Sequence, residues 1–181
     1  SVPCTLGGTA AFQVPNILPS VCAMRAQGLS IEGVRLALHS FDLSSHNAGR
    51  LNVFAIRDAY VVVDYGHNPA AIRALCETAS RWPASRVTAV LAVPGDRNDS
   101  LIRDCGRAAA AVDRVIVRED EDTRGRERGA VAAMLCEGIR DAKPSMPIEV
   151  VLNELESLDA AVDGLQPGEV AVAFADDIAA A

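Results

Sequence analysis

One lysine, Lys143, stands among the seventeen basic residues of this 181-residue chain; the other sixteen are arginine. A GxxxxGK[ST] phosphate loop needs a lysine behind a glycine-rich turn, and Lys143 sits in DAKPSMP with no such turn before it. The chain therefore supplies no phosphate loop of its own. Long apolar runs are missing too: none reaches the roughly 18–20 residues of a membrane helix. The start, SVPCTLGGTAAF, lacks the basic opening and apolar block of a signal peptide. A cytoplasmic protein with no membrane partner is the expectation. Cys4, Cys22, Cys76, Cys105 and Cys136 are odd in number, widely spaced and without a CxxC pair. They read as buried free thiols of a reducing compartment, with neither a zinc site nor a disulfide frame. A net charge of −7 argues against a nucleic-acid binder. GxGxxG, HExxH and serine nucleophile elbows are absent, which removes support for the common dinucleotide, zinc-protease and hydrolase chemistries.

Half of the residues are hydrophobic and mean hydropathy is slightly positive, so the chain can bury a core. Its length suits one domain of roughly 100–150 residues plus part of a second. From residue 59 onward, short β-branched runs alternate with helical patterns. The strands are AYVVVDYG, RVTAVLAVP, DRVIVRE, IEVVLN and EVAVAFA; between them apolar positions recur near helical spacing, as at Ile72, Leu75, Cys76 and Ala79. Runs such as VTAVLAV are nearly unbroken, as in strands buried on both faces of a parallel sheet. The fold class expected is α/β: a doubly wound, Rossmann-like, mostly parallel sheet with helices on both faces, preceded by a short helical segment. Residues 1–49 read as the helical end of another domain, with helices at 14–27 and 31–39. Residues 50–58 read as a hinge and linker strand, and 59–181 as the Rossmann-like domain.

In such sheets ligands gather at the carboxyl ends of the strands. Those ends here are DYGHNP, PGDRND and REDEDTRGR, the most polar pieces of the chain. In the first, Asp64 can accept hydrogen bonds from ribose hydroxyls, His67 can bind or move a proton, and Asn68-Pro69 can cap and open a helix. An N-capped helix start with solvated Asp64 and His67 explains the same residues about equally well. In the second, Gly95 lets backbone approach a ligand while Asp96 and Arg97 can bind hydroxyl or phosphate, though a turn and cap is the simpler reading. The third sets Glu119, Asp120, Glu121 and Asp122 beside Arg124, Arg126 and Arg128. Such a run is usually a solvated face; its place at a strand's carboxyl end raises its standing. His46 and Arg50 flank a glycine before a short strand, where Arg50 can reach a phosphate or an adenine face. His39 reads as a C-terminal helix residue.

VVVDYGHNPAAIRAL resembles the opening of the C-terminal domain of the Mur ligase superfamily, whose members read DYAHNP or a close variant there. Within it, DYGHNP followed by PGDRND, REDEDTRGR and EVAVAFADDI is most similar to the cyanophycin synthetase family. VPNILPSVCAMRAQGLSIEGVRLAL resembles the last helices of that superfamily's central ATPase domain, and HNAGRLNVF the link out of it.

The resemblance implies an ATP-dependent amide ligase, in which ATP phosphorylates a carboxylate and an amine attacks the acyl phosphate. Asp64 would contact the ATP ribose, His67 and Asn68 would shape the same corner, and Arg50 would reach the nucleotide from the hinge. Asn16 would lie near the adenine, although Gln13 replaces a second asparagine found in many relatives. Gly95, Asp96, Arg97, Glu121, Asp122 and Arg124 would receive the incoming amino acid. Arginine suits the acidic loop, whose carboxylates can meet a guanidinium while a nearby arginine holds the α-carboxylate. Gly66 stands where alanine is usual, a change expected to loosen the corner. The phosphate loop, the catalytic lysine and most ligands of the Mg2+ that accompanies ATP would lie in upstream domains, the expected partners of this chain. No catalytic residue is therefore assigned within it, and it is not expected to turn over alone. Surface left uncovered would let it self-associate. A non-catalytic nucleotide- or amino-acid-binding module derived from such a ligase is the alternative.

Overall fold

A computed structural model describes residues 3–42 and 47–175. These form two compact units divided between Ala48 and Gly49. In the first unit, 3-10 turns at Pro3–Gly8 and Ala11–Gln13 lead into α1 (Val14–Ala26) and α2 (Ile31–Ser40). The turn between the helices follows from its sequence. Gly28 takes a φ of 88°, so its N–H can donate to the Arg25 carbonyl at 3.0 Å and that of Leu29 to the Met24 carbonyl at 3.1 Å. This closes α1 in a Schellman motif. Ser30 then caps α2 by accepting from the Gly33 N–H at 3.0 Å. Leu18, Leu29, Ile31 and Leu36 stay exposed, and among the described residues only Thr5, Ala10 and Val34 are buried here. Cys22 is exposed on α1, which corrects the expectation of buried thiols; α1 has no buried position to give it.

The second unit is a six-stranded sheet with four helices. Its strands are β1 (Asn52–Ile56), β2 (Ala59–Asp64), β3 (Val87–Leu91), β4 (Arg114–Val117), β5 (Ile148–Val150) and β6 (Val170–Phe174). The spatial order is β1-β2-β6-β3-β4-β5. β1 pairs antiparallel with β2, with Asn52 opposite Val63, and the other pairings are parallel. The helices are α3 (Pro69–Ser80), α4 (Asp99–Ala109), α5 (Ala130–Ala142) and α6 (Glu154–Asp163). Connections from β2 through β5 advance one way along the sheet and the return to β6 runs back. Right-handed crossovers therefore place α3, α4 and α5 on one face and α6 on the other. Val61, Val63, Val90, Ile116 and Ala173 pack against Ala161 and Leu158 of α6. Burial on both faces explains the unbroken apolar runs, each enclosed Val or Ile contributing about 1.5–3 kcal/mol.

Helix starts are just as local. Asn68, Asn98 and Asn153 each accept an N–H three residues on, capping α3, α4 and α6. Gly106 and Gly138 let α4 and α5 touch backbone to backbone: a Cβ on either would meet the Leu135 or Arg103 carbonyl. Ion pairs Arg103–Glu137 at 2.7 Å and Arg107–Asp141 at 2.8 Å flank that crossing. Burial pushes the thiols of Cys76 and Cys105 up to about 12 and also raises that of Cys136, so all three are inert packing groups.

Candidate functional site

Because β2, β3, β4 and β6 are parallel, their carboxyl ends share one edge of the sheet, and the polar loops gather there. At the end of β2, Asp64 is mostly enclosed. One of its oxygens accepts the Leu51 N–H and the other the Gly66 N–H, both at 2.8 Å. Burial raises its pKa, opposed by the hydrogen bonds from Leu51 and Gly66 and then by the charge of Arg50. Each carboxylate oxygen keeps a lone pair for a hydroxyl donor. Arg50 is exposed, its guanidinium 4.8 Å from the centre of the Tyr65 ring. That ring meets His67 edge-on at 5.0 Å. Nδ1 of His67 lies 3.2 Å from the Tyr65 carbonyl, to which it can donate. Asn68 has committed its Oδ1 to the Ala71 N–H at 3.0 Å.

Gly66 does not loosen this corner. A Cβ there would sit 3.1 Å from an Asp64 oxygen and 3.3 Å from both Phe174 and Ala71. The glycine lets those three groups close in.

The β3–α4 and β4–α5 loops are in contact. Gly95 is buried against the Thr123 carbonyl, where a side chain would collide. Asp96 and Arg97 pair loosely with each other at 3.8 Å. Glu121 and Asp122 are exposed, and Asp122 turns back on its own loop, accepting the Arg124 N–H at 2.9 Å and pairing with Arg124 Nε at 2.9 Å. Arg124 holds a left-handed φ of 52° there.

The acidic run is split by the fold. Glu119 is buried, accepting the Gly129 N–H at 2.7 Å and the Ala132 N–H at 2.9 Å. It thus caps α5, whose own N-cap is a glycine with no side chain to offer. Asp120 meets Arg118, the least expected residue of the site. The Arg118 side chain is 1% exposed; it reaches Asp120 at 3.1 Å, Glu154 at 2.9 Å and the Phe174 carbonyl at 3.0 Å. One guanidinium thereby ties the ends of β4 and β6 to the start of α6. Its only trace in the sequence is a cation continuing the apolar run VIV. Gly66, His67, Arg118, Asp120 and Phe174 meet along a seam too tight to admit a water molecule, joining the β2 corner to the β4 end.

Asn16 belongs to the first unit and is described there by itself. Its Nδ2 donates to Gln13 Oε1 at 3.0 Å, and both line an open cleft with Ile17, Met24, Leu38 and Phe41. His39 is exposed in the last turn of α2, and His46 lies outside the described residues. Among the described residues no three His, Cys, Asp or Glu side chains gather to hold a metal ion. Nor does any described helix have the length and apolarity to cross a membrane.

Residues 49–176 match the family model described as Mur ligase, glutamate ligase domain. The chain belongs to the Mur ligase family. It is 36% identical over 180 residues to a cyanophycin synthetase of Crocosphaera subtropica, an alignment covering 98% of this chain and 20% of that relative. The chain thus spans about a fifth of the length of such curated relatives. Among solved structures, a UDP-N-acetylmuramate-alanine ligase of Thermotoga maritima superposes with a TM-score of 0.69 at 21% identity, over 93% of this chain and 35% of that one. An E. coli FolC in complex with ADP gives 0.69 at 24%, over 92% and 37%. These structures share the fold: a mostly parallel sheet of Mur ligase type, covered by helices on both faces.

Proposed function

We propose that this chain is the closing part of an ATP-dependent carbon–nitrogen ligase similar to cyanophycin synthetase, and that its two polar corners take different ligands. The β2 corner serves the nucleotide. Asp64 has lone pairs left for ribose hydroxyls, the exposed Arg50 offers a cation to phosphate or a face to adenine, and His67 and Asn68 shape the wall. Asn16, in the first unit, offers an amide to the adenine. Gly95, Asp96, Arg97, Glu121, Asp122 and Arg124 hold the incoming amino acid, with arginine the best chemical match. The exposed carboxylates of Glu121 and Asp122 meet its guanidinium, and Arg124 or Arg97 meets its α-carboxylate.

In the reaction so assigned, a substrate carboxylate oxygen takes the γ-phosphoryl group and ADP leaves. The amine nitrogen then bonds to the acyl carbon while phosphate departs and the amine loses a proton. The residues of this chain bind and orient the two partners; electrostatic stabilisation of the phosphoryl group falls to upstream domains that carry a phosphate loop. Mg2+ would accompany ATP, but the described residues do not fit a site for it, and no step is assigned to it here.

The observation that carries this reading is the gathering of DYGHNP and both charged loops on the carboxyl edge of one parallel sheet, in a chain 36% identical to a cyanophycin synthetase. Calorimetry with arginine tests it. The wild-type chain should bind arginine in preference to aspartate, and the Glu121→Gln, Asp122→Asn double variant should lose about tenfold in affinity, the value of one or two charge-assisted hydrogen bonds. Equal affinity in the two proteins would remove the acidic loop from the amino-acid site.

A further inference from the structure

Sequence reasoning treats PGDRND and REDEDTRGR as separate loops, each with its own candidate residues. One side chain assigned no role joins them. Arg126 sends Nε to the Gly95 carbonyl at 2.5 Å and Nη2 to the Arg97 carbonyl at 2.6 Å, and pairs with Asp99 at 2.9 Å. From the β4–α5 loop it thus grips both ends of the Gly95–Asp96–Arg97 segment and the first residue of α4. Gly95 also lies so close to the Thr123 carbonyl of the other loop that a side chain there would collide with it. Only a guanidinium can do this: two N–H groups in a fixed plane address two carbonyls while a carboxylate balances the charge. An ammonium radiates its three donors from a single point on a flexible stem and lacks the rigid planar fork that addresses the two carbonyls through separate nitrogens.

We infer that Arg126 is a positioning residue that locks the two loops into one body, so that Asp96 and Arg97 from one and Glu121, Asp122 and Arg124 from the other face a single amino-acid ligand. The inference rests on the proposed amino-acid site. It adds that the site is a composite whose geometry depends on a residue that does not touch the ligand. Arg126 sits on the loops, remote from the packed faces of the sheet, so its replacement should leave the global fold in place. The two loops should loosen together, and arginine affinity should fall while ATP affinity does not.

The test uses the 181-residue chain as wild type, Arg126→Ala and Arg126→Lys. Hydrogen exchange at the amides of 95–97 and 123–126 reports the clamp, and calorimetry with arginine and with ATP reports its consequence. Both variants should lose protection in both loops by about tenfold and bind arginine about tenfold more weakly, with ATP binding and thermal midpoint close to wild type. The lysine variant should behave like alanine, which distinguishes a fork from a mere positive charge. If Arg126→Lys keeps wild-type protection and affinity, or only one loop loosens, the locking role is overturned and the amino-acid site stands. If the wild type binds no amino acid, the site itself is overturned and the positioning role with it.

Discussion

The two ends of the ligand edge are built with opposite chemistry. At the β2 corner a carboxylate holds the chain: Asp64 gathers the N–H groups of Leu51 and Gly66. At the β3 and β4 loops guanidinium groups do so: Arg126 grips two carbonyls, Arg118 takes that of Phe174, and Arg128 takes those of Asp120 and Leu152, each at 2.7 Å. An acceptor hub presents leftover lone pairs and suits a ligand rich in hydroxyl donors. Donor hubs use up backbone carbonyls and draw in Asp99, Asp120 and Glu154, while Glu121 and Asp122 stay exposed on their loop.

Breaking the donor side should have the largest effect. Arg118→Ala would take the guanidinium away from Asp120, Glu154 and the Phe174 carbonyl and leave an enclosed gap, and removing one partner from a buried ionic network costs about 3–5 kcal/mol. Since both carboxylates keep some exposure, the lower end, about 3 kcal/mol, is expected from urea denaturation. A change below about 1 kcal/mol would mean that Arg118 is not the strut described.

Breaking the acceptor side should appear in pH dependence. Burial raises the folded-state pKa of Asp64 above its unfolded value of 3.8, so the folded chain binds this proton more tightly. Its contribution to stability is full below 3.8 and is lost as pH rises through the raised folded value. Asp64→Asn removes the titration. The stability of wild type minus that of the variant should therefore fall across that window and level off above it; a difference that stays flat or climbs contradicts the assignment. The smallest effect belongs to the exposed acids. Glu121→Gln with Asp122→Asn should change stability by less than about 0.5 kcal/mol while weakening arginine binding, since neither side chain supports the fold beyond its own loop.

What was legible in the sequence was local. Apolar runs and helical spacing marked β2 to β6 and α3 to α6, and the Asn-Pro and Gly-Leu-Ser punctuation marked starts and stops, because these signals involve residues a few positions apart. DYGHNP was legible for the same reason: Asp64, Gly66 and Asn68 mostly bind within three residues, although the bond to Leu51 reaches back across the β1–β2 hairpin. The charged loops were not. REDEDTRGR reads as one solvated stretch, yet Arg118 and Glu119 are buried, Asp120 is half-buried, and Arg126 crosses to a loop about thirty positions away. Which acid turns inward depends on α5 lacking a capping side chain and on Glu154 arriving from α6. No window of sequence contains those facts.

The central claim, that one edge of the sheet carries two separate ligand corners, is tested most directly by following backbone amide chemical shifts while the chain is titrated with ATP and, separately, with arginine. ATP should move Arg50 and residues 64–68 and leave 95–97 and 121–126 in place; arginine should do the reverse. Shifts from both ligands on the same residues, or arginine shifts confined to the DYGHNP corner, would contradict the account.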